Sequence, residues 1–195
     1  AGDIFGASQA GFVDSVGIDY YLKLMDDEIR RQKGEIVIED DEDNQSLINV
    51  DTHISDKYVS DDDIKIEIHQ RINEIDSIDK FMEVKKELED RFGSINEKLE
   101  NYMYEEWFEA LAKQLEIKNV VQNDRLIEIE IPENISREIK GDKLLLDASS
   151  ISRNISLKYH NEKIIITLNL FGLEDNYVVY LVKLLERIKE NIGID

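Results

Sequence analysis

The sequence predicts an α+β fold: a helix-bundle segment packed with antiparallel hairpins, preceded by a glycine-rich loop plus helix appendage. Three observations carry this. Apolar residues recur at helical spacing in three successive stretches between Ser60 and Glu116. The pattern then switches to alternation in two pairs of short runs, Val120 to Ile131 and Ile155 to Leu170, each pair split by a turn-forming dipeptide. A last helical stripe, Val178, Leu181, Leu184, Leu185 and Ile188, closes the chain.

Composition divides the chain into residues 1–34, 35–46 and 47–195. In the first, Gly2, Gly6 and Gly11 make a loop whose backbone can take positive φ. A helix follows over Asp19 to Gln32, with Gly34 as its C-cap. Residues Ala1 to about Gly17 have little apolar area of their own and are expected to be poorly ordered or to borrow contacts from neighbouring molecules. The run Glu39-Asp40-Asp41-Glu42-Asp43 cannot bury apolar surface and reads as a linker.

In the third part, Leu47 to Thr52 is a short strand candidate. Ser60 is expected to cap a helix to about Ile75, with Ile64, Ile68, Ile72 and Ile75 on one face. Ser77 opens the next helix, Phe81, Val84, Leu88 and Phe92 form its stripe, and Gly93 stops it. Ser94 and Glu97 suggest a capping box for a third helix to about Glu116, through Leu99, Met103, Trp107 and Leu111. Asn123-Asp124 and Asn161-Glu162 are the hairpin turns, and Pro132 ends the second strand. Asp142 to Ser150 is expected to be a short helix, and Glu174 to Asn191 the closing one.

Charge limits the partners. There are 44 Asp or Glu against 24 Lys or Arg, a net −20. Residues 35 to 63 hold eleven acids and the single Lys57, hence −10 of that total. Such a surface repels the phosphate backbone and anionic membranes, so protein partners are favoured over independent DNA or membrane binding. The absence of Cys excludes disulfides, thiolate metal sites and a thiol nucleophile, and favours a reducing, cytoplasmic setting. No run approaches the ~18 apolar residues that span a bilayer, and no signal-peptide pattern opens the chain.

No enzyme is expected within this chain. The glycine spacing fits neither a P-loop nor a dinucleotide fingerprint, so no ATP site is expected. Asp61-Asp62-Asp63 reads as carboxylates gathered at a helix N-terminus rather than a metal site. His53, His69 and His160 lack a partner His or carboxylate at ligand spacing. Glu105-Glu106 and Glu128 with Glu130 are expected on solvated faces. Tyr102, Met103, Tyr104, Trp107 and Phe108 overfill one helical stripe, which makes core the first expectation and a partner surface on one flank the second. No catalytic, nucleotide-binding or metal residues are assigned.

The phrase Ala1-Gly2-Asp3-Ile4-Phe5-Gly6-Ala7-Ser8-Gln9-Ala10-Gly11 resembles Gly-Ala-Gly-x-x-x-Gly-x-x-Gln-x-Gly from its Ala onward. That is the translocation motif of the bacterial transcription-repair coupling factors. Val16-Gly17-Ile18-Asp19-Tyr20 continues the likeness, as do Tyr58-Val59-Ser60-Asp61 and Leu88-Glu89-Asp90-Arg91-Phe92-Gly93. The same glycine motif occurs in the fork-reversal helicase, but about 180 residues follow it here, which favours the coupling factor. The chain opens inside the motif and is expected to be a piece of a longer motor with a P-loop upstream.

The resemblance implies a parent that uses ATP and Mg to move on double-stranded DNA. That parent displaces stalled RNA polymerase and recruits the excinuclease damage-recognition subunit. It places Gly2, Gly6, Gln9 and Gly11 in the translocation motif. It gives residues 47–195 the role of a non-catalytic regulatory domain, docked on the N-terminal repair-recruiting module of the same protein, with no cofactor of its own. Ala10 replaces a common Ser, Glu116 stands where a Gly often precedes Ile117, and Tyr104-Glu105-Glu106-Trp107 is more acidic than the usual version. The alternative is a free-standing acidic protein-binding adaptor.

Overall fold

The computed structural model describes Gln32 and residues 46–194. The expected glycine loop, the expected helix apart from Gln32 (helical and exposed), and the acidic run of residues 35–45 lie outside the described residues.

Three helices come first: α1 (Asp62–Asn73), α2 (Ile78–Phe92) and α3 (Glu97–Gln114). Strands β1 (Asn119–Gln122) and β2 (Leu126–Ile131) follow, then helices α4 (Glu133–Glu138) and α5 (Gly141–Ile151). Strands β3 (Ile155–His160) and β4 (Lys163–Asn169) and the closing α6 (Tyr177–Ile192) complete the domain. The α+β expectation holds, with both hairpins where the turns put them.

Two caps differ from expectation. Asp61, not Ser60, caps α1, its Oδ1 accepting from Ile64 N at 3.0 Å. Asn96, not Ser94, caps α3, accepting from Leu99 N at 2.8 Å. Glu97 is therefore the first helical residue, and the expected capping box does not form. Ser77 and Gly93 bound α2 as read, Gly93 having φ 90°. Glu116, where the resemblance led to the expectation of a glycine, has φ 56°. Its N–H donates to Lys113 O, and Ile117 N–H reaches Ala112 O at 2.8 Å. This is the left-handed helix stop that glycine serves without steric cost.

The sheet is antiparallel in the order β1-β2-β4-β3. Ile127, Ile129 and Ile131 lie opposite Leu168, Ile166 and Ile164, and all six are buried. Period-two alternation puts Glu128 and Glu130 on the other face, half-buried, where Glu130 holds Lys163 at 2.8 Å. Asn161 and Glu162, at φ 50° and 63°, form the tight turn between β3 and β4.

Helices α3 and α6 pack against each other, α5 packs on α6 and β3, and their stripes form one core with the inner sheet face. Helix α4, absent from the sequence expectation, buries Ser136. That hydroxyl donates to Ile131 O and accepts from Ile164 N, both at 3.0 Å, tying two strands at one end. Asn191 clasps the backbone of Lys140 through both its amide groups, at 2.8 and 3.0 Å.

Candidate docking surface

Residues 47–52 were expected as a strand and form none. Their backbone groups are taken by side chains instead. Leu47 N–H donates to Glu109 Oε1 at 2.7 Å, and Ser46 Oγ bonds Glu105 Oε1 at 2.7 Å and Glu109 Oε1 at 3.1 Å. Asn49 N–H donates to Gln122 Oε1 at 2.9 Å, and the Tyr177 hydroxyl donates to Asn49 O at 2.7 Å. Gln122 Nε2 in turn reaches the Tyr177 hydroxyl at 3.1 Å. Ile48 within this strap and Ile54 just after it are buried. It crosses α3, β1 and α6, so the chain enters the domain clamped to three elements.

The clamp explains a correction. Glu105 and Glu106 were placed on the solvated side of α3, yet they are 2% and 8% exposed. The helix is covered on most sides, and Glu105 is held over by the strap's Ser46. Burial also pushes the Tyr177 phenol above its ordinary value, with Gln122 opposing and the Glu105 charge adding to the rise.

The phrases Tyr58–Asp61 and Leu88–Gly93, which carry the resemblance, meet in space. The Tyr58 hydroxyl donates to Gly93 O at 3.0 Å and Leu88 O at 3.3 Å, and its ring meets Phe92 edge-on at 6.1 Å. Arg91 pairs with Glu67 of α1 at 2.7 Å and lies over the Phe92 ring. Asp61 is the α1 cap. These residues therefore close the α1–α2 corner, a structural role. Arg71 fastens the same corner through Glu74, Glu83 and Glu87, with Glu87 the main cause of its raised pKa.

Between the start of α3 and the approach to α6 runs an open groove of ≈ 370 Å³. The start of α3 contributes Glu97, Glu100, Asn101 and Tyr104; the approach to α6 contributes Glu174, Asp175, Asn176 and Val179. Four carboxylates line it, and Lys85 of α2 bonds Glu100 at 3.2 Å. Tyr104 links the groove to an aromatic stack, 4.6 Å from the Phe81 ring and 6.1 Å from Trp107. Burial raises its phenol pKa, helped by Glu100. Of the five large α3 side chains, Tyr102, Met103, Trp107 and Phe108 are core, and Tyr104 lines the groove. A concave acidic lining with one tyrosine ring suits a cationic protein segment. No local pattern could have revealed it, because its two halves lie roughly 75 residues apart.

Among the described residues no His, Cys, Asp or Glu group is arranged to hold a metal ion, and no helix is long and apolar enough to cross a membrane. His69 is buried at 4% exposure, its Nδ1 2.8 Å from the Tyr102 hydroxyl, whereas His53 and His160 are exposed. Gly2, Gly6, Gln9 and Gly11 lie outside the described residues.

A family model described as the TRCF domain matches residues 48–141. The transcription-repair-coupling factor of Bacillus subtilis (strain 168) is 27% identical over 191 residues, covering 97% of this chain and 16% of the relative. That of Borreliella burgdorferi is 30% identical over 168 residues, covering 82% of this chain and 15% of the relative. This chain thus spans about 16% of the length of the Bacillus protein. Among solved structures, the crystal structure of a C-terminal domain of transcription-repair coupling factor superposes with a TM-score of 0.63 at 20% identity. The match covers 75% of this chain and 91% of that one. Sequence and fold agree: over nearly its whole length the chain is similar to transcription-repair coupling factors, and its described domain has the fold of the solved C-terminal domain.

Proposed function

We propose that residues 47–195 are a non-catalytic regulatory domain, and that they restrain a DNA-translocating parent by docking on its N-terminal repair-recruiting module. The parent, on this reading, is a cytoplasmic ATP- and Mg-dependent motor that displaces stalled RNA polymerase and recruits the excinuclease damage-recognition subunit. The observation that carries the docking role is the strap. A domain with its own core is held at Ser46 to Asn49 by α3, β1 and α6, directly after an acidic run suited to a tether.

A tether of that length holds the domain at an effective concentration in the ~mM range. A contact with a dissociation constant of ~0.1 mM then keeps roughly nine-tenths of the molecules closed, and still releases readily. The acidic groove favours a basic face as the docking site.

Truncation of the parent after Gly34 tests this. Basal ATPase and affinity for the excinuclease subunit should both rise; full-length values for both would remove the regulatory role. Gly2, Gly6, Gln9 and Gly11 are assigned to the motor's translocation motif, with Gln9 linking hydrolysis to movement. Gln9→Ala in the parent should preserve ATPase while abolishing polymerase displacement. Normal displacement would remove that assignment.

A further inference from the structure

The sheet ends on two unlike edges. At β1 the edge is short, and the strap crosses it where the Gln122 side chain takes Asn49 N–H. At β3 the edge runs six residues, Ile155–His160, and no described strand pairs with its outer side. The ladder fixes which groups that side presents. Asn169 N–H donates to Asn154 O at 3.0 Å, next to the Ile155–Leu168 pair. Hydrogen-bonded and non-bonded pairs alternate along antiparallel strands, so Ser156 and Lys158 bond β4, and Ile155, Leu157 and Tyr159 aim their backbone outward. Ile155 N–H is satisfied by Ser152 O at 3.3 Å. The N–H groups of Leu157 and Tyr159, and the Ile155 and Leu157 carbonyls, have no partner among the described residues.

Such an edge recruits another strand unless charge, proline or a bulge blocks it. Strand β3 holds no Pro and no carboxylate, and Lys158 is its single charge at pH 7, in a chain of net −20. Two copies can approach here without bringing acids together. The strand is also self-complementary about Leu157. With Leu157 on a two-fold axis, antiparallel pairing sets Ile155 opposite the partner's Tyr159 and Ser156 opposite the partner's Lys158. The first is a β-branched–aromatic pair, and in the second a hydroxyl accepts from an ammonium. Centring the axis on Lys158 would set two ammonium groups face to face. Centring it on Ser156 would carry Tyr159 past the strand's end, opposite the partner's Arg153. Apolar exposure concentrates on the same side. Tyr159, 66% exposed, shares a sheet face with Ile155 and Leu157, and α5, which packs on β3, bears Leu145 and Leu146 at 57% and 72% exposure.

We propose that β3 is a self-association edge, through which two copies of this chain pair antiparallel with Leu157 on the two-fold axis. Each Leu157 N–H donates to the partner's Leu157 O, and each Tyr159 N–H to the partner's Ile155 O. The two sheets become one, and the Tyr159 ring packs on the partner's Ile155. The inference is independent of any docking within the parent.

Sedimentation velocity of the 195-residue chain over a concentration series should show a reversible dimer. Tyr159→Pro removes an outward N–H and the ring but no bond to β4, so it should weaken the dimer at least ~10-fold while circular dichroism stays native. Cross-linking reads the register, since the chain has no Cys of its own. Ser156→Cys and Lys158→Cys are prepared as separate variants, then oxidised alone and mixed. Residues opposed in a non-bonded pair have Cα atoms about 4.5 Å apart, within disulfide reach. The mixture should therefore give the 156–158 cross-link well above the yield of either variant alone. A chain that stays monomeric throughout the series overturns the proposal. So does a folded Tyr159→Pro variant that dimerises like the wild type, and so does equal cross-linking in mixed and single samples. If Tyr159→Pro does not fold, the cross-link decides.

Discussion

Tyr177 shows how much one side chain can organise. Its hydroxyl holds Asn49 O and receives Gln122, joining α6, β1 and the incoming strap in one hydrogen-bonded chain. Loss of that hydroxyl removes the bond to Asn49 O, so Tyr177→Phe should cost about 1 kcal/mol at neutral pH. The phenol also titrates with a definite sign. Burial raises its pKa above the ordinary value of about 10, as it does for Tyr58 and Tyr104. The neutral form is favoured in the fold, so this stability is complete below pH ~10 and declines as pH rises through the folded-state values. Thermal melting between pH 8 and pH 12 should show that decline, and Tyr177→Phe should make it shallower. Equal melting temperatures for wild type and variant at pH 7 would show that the strap is held by other contacts.

Helix ends separate what was legible in the sequence from what was not. Ser77, Gly93 and the stripe of α2 were readable because start, period and stop agree locally. At α1 and α3 two capping residues stand close together, and the side chain that reaches the free N–H wins. Asp61 and Asn96 sit immediately before the first helical residue; Ser60 and Ser94 sit too early. Asn96→Ala should therefore cost about 1 kcal/mol, within the ~0.5–2 kcal/mol range of such caps, and Ser94→Ala less than about 0.5 kcal/mol. Chemical denaturation of the two variants checks the order, and a larger loss for Ser94→Ala would contradict it. Strands β2 and β4 were legible from alternation, whereas the strap was not. Its partners Glu109, Gln122 and Tyr177 lie 62, 73 and 128 residues away, and only the tertiary fold brings them together. The buried Glu105 was missed for the same reason: a helical wheel assigns it by composition, and the strap covers it.

At the scale of the whole molecule, net charge bears on both the proposed tether and the proposed docking surface. The chain carries −20, of which −10 falls between Glu35 and Asp63, and the groove adds Glu97, Glu100, Glu174 and Asp175 to one surface. Contact between such a surface and a basic face depends on ionic strength. The screening length falls from about 10 Å at 0.1 M salt to about 3 Å at 1 M. The domain's own stability rests mainly on one apolar core, with Arg71 and its three glutamates as one reinforcing network, so it should tolerate salt better than docking does. On the proposed reading, raising salt should release the docked domain before it unfolds. The full-length parent is expected to gain basal ATPase between ~0.1 and ~0.5 M salt while its circular dichroism remains native. A parent truncated after Gly34 supplies the control, since salt effects on the motor itself will appear there as well. The informative quantity is the ratio of full-length to truncated rates, which should climb toward one. If that ratio stays flat while both proteins remain folded, the contact is not electrostatic. The acidic groove would then have no part in holding the motor closed.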